Sequence, residues 1–336
     1  MSASYPAISI LLPVYNDARY LERAVSSIQR QTFGDWELLL LDDGSTDSSP
    51  DLIDSLARPD PRIRPVHLPH RGIAGSLNAG IQRAMGRYVA RMDADDFSHV
   101  QRLALQKDYL EERADVCAVG CKVRIFPRKK ASLGMLAYEA WLNSVVTPEE
   151  IAREIFVESP LVHPSVLVRK EVLESVNGYR SDGPEDYDLW LRLHGKGLRF
   201  AKVPRVLFWW MDRPDRATRL SPDYSRQAFR RCKCLHLAKY LGKKRQIVLA
   251  GNREAKHLAA DLEKAGVQVM GYVDVNPKRI GTVWNGKPVV GYEDLPRRYP
   301  QCVFLAAVGS WGVRDAIRRQ LQSLGYREPD EFLCVA

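Results

Sequence analysis

Four short apolar runs near the N-terminus, each followed by a stretch of helical character, constrain this chain more than any other feature. "AISILLPVYN" reads as a buried strand closed by Pro13 and a turn, and a helix follows over roughly 18–31. "WELLLLDDGS" gives a second strand that ends on acids and Gly44. "SSPDLIDSLA" predicts a helix, "IRPVHL" a short strand, "GIAGSLNAGIQRAM" another helix and "YVARMDADD" a fourth strand. A βαβαβαβ alternation folds as a mainly parallel, doubly wound sheet, because parallel neighbours need a crossover helix. Ligands of such sheets bind beyond the carboxyl ends of the strands. The polar residues stand at those ends: Tyr15-Asn16-Asp17, Asp42-Asp43 and Asp93-Ala94-Asp95-Asp96. Core packing gives no reason for three acidic strand ends on one rim.

A second alternation begins near residue 245. "RQIVLAGN" predicts a strand, "REAKHLAADLEKAG" a helix and "VQVMGYVDVN" a strand ending in Asp274. "CVFLAAVGS", the helix "WGVRDAIRRQLQSLG" and "EFLCVA" complete a small Rossmann-like unit. A dinucleotide site would want Gly-x-Gly-x-x-Gly so that backbone can approach a pyrophosphate. Only Gly251 is present, and Arg253-Glu254-Ala255 stand where the other glycines would be. The unit is therefore expected to be a scaffold or to serve acceptor binding.

At 336 residues two domains are expected. Apolar runs are too short for a transmembrane helix, and the N-terminus lacks a charged leader and cleavage site, so a cytoplasmic protein is expected. The six cysteines include no CxxC pair, which argues against a zinc site and for reduced thiols. The net charge of +9 is concentrated between 201 and 245, where thirteen Lys/Arg face three Asp. Such a block suits an acidic surface, RNA or anionic lipid, or is simply a solvated helical linker.

Asp93, Asp95 and Asp96 have no basic residue among them and would raise one another's pKa values unless a cation intervened. Carboxylates two apart at a strand end can hold a hard divalent cation, with a diphosphate completing the shell. Mg²⁺ or Mn²⁺ carrying a nucleotide diphosphate is the expected occupant.

At these residues the chain resembles the family-2 glycosyltransferases of GT-A fold. "ISILLPVYND", "WELLLLDDGSTD", "GSLNAGIQRAMGRYVARMDADD" and "EDYDLWLRL" stand in that family's order and spacing. The resemblance implies an inverting enzyme using a nucleotide sugar, usually UDP-linked, over a GT-A domain at 1–211. A basic connector at 212–244 and the Rossmann-like domain at 245–336 would follow. Carried over, Tyr15 would pack on the base with Pro13 shaping the turn beneath it. Asp43 would accept from the uracil edge, with Asp42 its structural neighbour. Asp93 would touch ribose or metal shell, and Asp95 would be the direct metal ligand. Asp96 would cap the next segment. Asn78 sits where the family often has an Arg-Asn pair, Leu77 replacing the Arg. Asp186 would be the general base that deprotonates the acceptor, with Glu185 the rival and Asp188 a helix cap. His163 and Ser165 are read on a strand beside the site, His163 either structural or in the donor or metal shell; Trp190 is read as core.

Processive members carry Gln-x-x-Arg-Trp and membrane helices, whereas this chain reads "QAFRR", so single-sugar transfer is expected. The whole-chain layout also resembles the queuosine-tRNA galactosyltransferases, which implies a tRNA acceptor held by the basic 201–245 block. Lipid-linked saccharides are the alternative acceptors. A catalytically inactive binding module is the alternative of another class.

Overall fold

The computed structural model describes residues 5–243, 246–251, 253–309 and 312–336. The chain divides into two compact units, 1–151 with 160–223, and 152–159 with 224–336. Lys244, Arg245 and Asn252 of the sequence-read basic block and C-terminal turn lie outside the described residues, as do the side chains of Arg253 and Glu254.

The first unit begins β1 (Ile8–Val14), α1 (Ala18–Gln29), β2 (Trp36–Asp42), α2 (Ser49–Ala57), β3 (Ile63–His67), α3 (Gly72–Arg83) and β4 (Tyr88–Arg91). It continues with β5 (Phe97–Ser98), α4 (Arg102–Glu112), β6 (Val116–Phe126), α5 (Leu133–Ser144), α6 (Pro148–Glu154), β7 (Leu167–Arg169), α7 (Lys170–Glu174), α8 (Glu185–His194) and β8 (Arg199–Met211). A short helix α9 (Ala217–Leu220) follows. The sheet order is β3-β2-β1-β4-β7-β6-β8-β5, with β7 and β5 antiparallel to their neighbours.

Sequence character sets this order. β2 is buried at every position, as a parallel strand covered on both faces must be. β3 buries only Ile63, its other residues alternating half-buried and exposed, and lies at the edge. α1 buries Leu21, Ala24, Val25 and Ile28, one stripe at helical period. Each fully buried Leu or Ile of β1 and β2 contributes about 1.5–3 kcal/mol relative to exposure. β4 ends at Arg91, five residues before the sequence-read strand does, so Asp93–Asp96 form the link to β5. β5 then pairs Phe97 with Trp209 and Ser98 with Phe208 of β8.

The second unit comprises α10 (Arg226–Leu241), β9 (Gln246–Gly251), α11 (Arg253–Lys264), β10 (Gln268–Val273), β11 (Val283–Trp284), β12 (Lys287–Val290), α12 (Leu295–Arg298), β13 (Val303–Ala307), α13 (Val313–Ser323) and β14 (Phe332–Cys334). Its sheet order is β11-β12-β10-β9-β13-β14. The β11–β12 hairpin turns on Asn285-Gly286, both at positive φ, the pairing a two-residue turn demands. Residues 152–159 are stitched into this unit. Lys233 Nζ donates to the carbonyls of Val157 (2.7 Å) and Val335 (2.8 Å), Arg318 pairs with buried Glu154 (2.8 Å), and Phe156 packs on Tyr240. Asp274 accepts from the Asn276 N–H and pairs with Arg279, so its carboxylate is engaged locally.

Candidate active site

The ends of β1 and β2 are laced together by short polar side chains. Asn16, at positive φ, accepts from the Thr46 and Asp47 N–H groups. Asp42 takes the Ser45 N–H and lies 3.0 Å from His67 Nδ1. Asp43 is buried, and its two oxygens accept the Arg71 and Gly72 N–H groups (2.8 and 2.9 Å), fixing the loop that opens α3. Gly44 has φ +73°, and a Cβ there would meet the His70 backbone nitrogen at 2.8 Å, so the turn admits no side chain. Above it the Tyr15 ring, 50% exposed, stacks on His70 at 4.3 Å. Pro13 lies half-buried in β1, opposite Leu41.

Asp93, Asp95 and Asp96 bring one carboxylate oxygen each to within 4.8 Å of one another. Two arginines supply positive charge that the local sequence lacks. Buried Arg91 pairs with Asp93. Arg213 forms a two-pronged pair with Asp17 (2.8 Å each) and reaches Asp95 at 2.9 Å. Asp95 is nevertheless pushed up to about 6 by burial and then by the charge of Asp93. Asp96, fully enclosed, is raised well above the ordinary carboxylate range by burial, then by Asp95 and Asp93. Its Oδ1 accepts the Met211 N–H at the end of β8, so it anchors that strand instead of capping the next segment. Among the described residues its Oδ2 is buried without a hydrogen-bond partner. Oxygen-only donors, crowded and still under-neutralised, fit a hard divalent cation.

Beneath this link sits Arg102 of α4, fully buried. It donates to the carbonyls of Pro164 (2.8 Å) and Arg91 (3.1 Å), and its guanidinium lies over Phe208. Among the described residues no carboxylate pairs with it, and burial pushes it down to about 10. One turn on, Gln106 donates to the carbonyls of Val119 and Ser165. His163–Ser165 form a 3₁₀ turn rather than a strand, and these two side chains hold that turn against the end of β4.

Asp186 lies in the first turn of α8, half-buried, with Oδ1 accepting the Tyr187 N–H. Burial, then Glu185, push it up to about 7. Glu185 is buried, 3.6 Å from His163 Nδ1, and His163 Nε2 lies 2.9 Å from the Tyr179 hydroxyl. Burial, then the charge of Arg91, hold His163 below its usual pKa, so its imidazole is neutral. Asn78 spends both ends of its amide on the Tyr179 backbone, tying α3 to the segment ahead of Asp186. Asp188 lies inside α8 and pairs with Arg192 (2.7 Å), not as its cap. Trp190 is fully buried core.

Asp93, Arg91, His163, Glu185 and Asp186 therefore lie within electrostatic reach of one another. Arg91, Arg102, Arg213 and Tyr179 escaped the sequence reading. Arg91 stands two residues before the acids, which is a local signal, whereas Arg213 meets Asp17 across 196 positions. Much of the basic block is spent internally: Lys202 is buried against the Leu142 carbonyl, Arg230 pairs with Asp261, and Lys233 is enclosed. Among the described residues no helix is long and apolar enough to cross a membrane.

Comparison with known proteins gives a consistent picture. The profile described as Glycosyl transferase family 2 matches residues 9–176. The Putative glycosyltransferase EpsE of Bacillus subtilis (strain 168) is 31% identical over 228 residues, 66% of this chain and 79% of that protein. The chondroitin synthase of Pasteurella multocida (strain Pm70) is 29% identical over 60% of this chain and only 20% of its own length. In structure, S. aureus TarS 1–349 in complex with UDP-GlcNAc aligns at a TM-score of 0.57 and 16% identity, covering 77% of this chain and 71% of that one. The mannosyltransferase PcManGT from Pyrobaculum calidifontis, in complex with GDP-Man and Mn²⁺, aligns at 0.50 and 23% identity, covering 72% and 64%. These likenesses share the GT-A fold. From the profile match and the EpsE similarity, the chain belongs to glycosyl transferase family 2.

Proposed function

We propose that this chain is an inverting, metal-dependent transferase that moves one sugar from a UDP-sugar to a hydroxyl of a lipid-linked saccharide or cell-envelope polysaccharide precursor. The observation that carries the chemistry is Asp186. A carboxylate poised at about 7 at a helix N-terminus, facing the acidic link through Arg91, has the basicity to take an acceptor proton near neutrality. The acceptor oxygen then attacks the anomeric carbon from the face opposite the leaving diphosphate. Asp93 and Asp95 would hold Mn²⁺ or Mg²⁺, which would offset the charge of that diphosphate. Tyr15 offers a ring for the base, and Asp43 fixes the loop beside it. Glu185 and neutral His163 hold the base's neighbourhood in place.

The acceptor reading is supported by the relatives named for chondroitin and hyaluronan synthesis, both polysaccharides. Transfer to queuosine in tRNA is the weaker reading, because Lys202, Arg213, Arg230 and Lys233 are committed inside the protein. The test is UDP- and GDP-sugar hydrolysis with and without EDTA, then transfer to lipid-linked saccharides set beside total tRNA. Metal-dependent hydrolysis of a UDP-sugar that is lost in Asp95→Ala, with transfer to the saccharides, is expected. Transfer to tRNA alone would replace this acceptor, and EDTA-insensitive turnover would remove the metal.

A further inference from the structure

The stretch from Val116 to Tyr138 holds Lys122, Arg124, Arg128, Lys129 and Lys130 and no acid. It leads into α5, "LGMLAYEAWLNS", whose single charged residue is Glu139. That carboxylate is turned inward, where it accepts the Ile125 N–H (2.6 Å) and pairs with Arg128. Asn143 likewise exchanges two hydrogen bonds with the Val123 backbone. These side chains cap the edge of β6 beyond the point where β7 stops pairing. The outer face of α5 is thus left to Leu133, Gly134, Ala140 and Ser144, with Ala137 half-buried between them; none is charged, and Leu133 is 86% exposed. A helix facing water would be expected to carry charge there.

We propose that α5 and its lead-in lie on the surface of an anionic lipid bilayer, with Leu133 entering the headgroup region and Lys129 and Lys130 on lipid phosphates. Apolar face and flanking lysines are what an interfacial helix needs, and twelve residues span about 18 Å of surface. Charge complementarity selects anionic lipid as the occupant. The other side of the helix adjoins the active-site rim. Tyr138 of α5 packs on Trp210, next to Met211, whose N–H binds Asp96. The inference rests on the lipid-linked acceptor reading and extends it: the bilayer would bring the acceptor's saccharide to the rim.

The test is co-sedimentation of the full chain with vesicles of phosphatidylcholine alone or mixed with phosphatidylglycerol. Binding to the mixed vesicles only is expected, weakened by salt. Lys129→Gln with Lys130→Gln should weaken it about 25-fold, at about fivefold per lysine. Leu133→Glu should weaken it about tenfold or more. All three residues are exposed, so the variants should keep the wild-type Tm and the rate of UDP-sugar hydrolysis. Equal binding of wild type and variants, or none by wild type, overturns the proposal. So does a variant-dependent change in sedimenting mass, which would mean that a second copy covers the face. Vesicle binding without transfer to any lipid-linked saccharide would sink the acceptor reading and leave the surface assignment standing.

Discussion

Burial and then Glu185 push Asp186, the proposed acceptor base, up to about 7. Asp186→Asn is expected to lower transfer by about 10²-fold or more while UDP affinity is kept, because the amide cannot take the proton. Calorimetry beside a transfer assay checks both halves. In the wild type kcat/KM should rise with pH through about 7 as the carboxyl deprotonates. The same shift has a stability side. A carboxyl with a folded pKa above its unfolded value lets the native state bind more protons between about 4 and 7, so its contribution to stability falls as pH rises across that window. Asp186→Asn should therefore raise Tm at pH 8 and leave it unchanged near pH 4, which thermal melts at the two pH values would read. A gain of equal size at both would assign the effect to packing.

At the scale of elements, α4 supports the acid-bearing link without touching the chemistry. Arg102→Met removes donors from two buried carbonyls and also removes a buried charge. With about 1–3 kcal/mol for each unsatisfied carbonyl and some return from the lost charge, a net loss of about 1–3 kcal/mol is expected. Urea unfolding measures it, and Mn²⁺-dependent UDP binding should weaken as the end of β4 loosens. Unchanged UDP binding would confine Arg102 to stability. The elements themselves were largely open to sequence reasoning. β1 read as a buried strand and β2 as a second strand ending on acids, and α1 carried its stripe at Leu21, Val25 and Ile28. What stayed hidden is non-local. The long β6–β8 pairing and the return of β5 onto Trp209 depend on partners far along the chain. Buried arginines such as Arg91 and Arg102 are rare enough that a sequence reader assigns them to solvent. Trp284-Asn285-Gly286-Lys287 was different: its turn chemistry was explicit and was passed over.

At the scale of the molecule, residues 152–159 belong with a unit whose remainder begins at Tyr224. A fragment ending at 223 would lose Lys233 from the Val157 carbonyl, Arg318 from buried Glu154 and Tyr240 from Phe156. The apolar run Ile155-Phe156-Val157, buried in the full chain and bared in the fragment, is expected to make that fragment aggregate, which light scattering beside the full chain would show. Full solubility with unchanged donor binding would mean that the segment is dispensable. The same arrangement imposes an order of events during synthesis. Ribosomes deliver the strand-rich first unit before most of the second exists, at about 5–20 residues per second. For several seconds a nascent chain complete to Asp223 must therefore carry Phe156 without the Tyr240 ring and Glu154 without Arg318, a window in which a chaperone that grips short apolar segments would find its binding site.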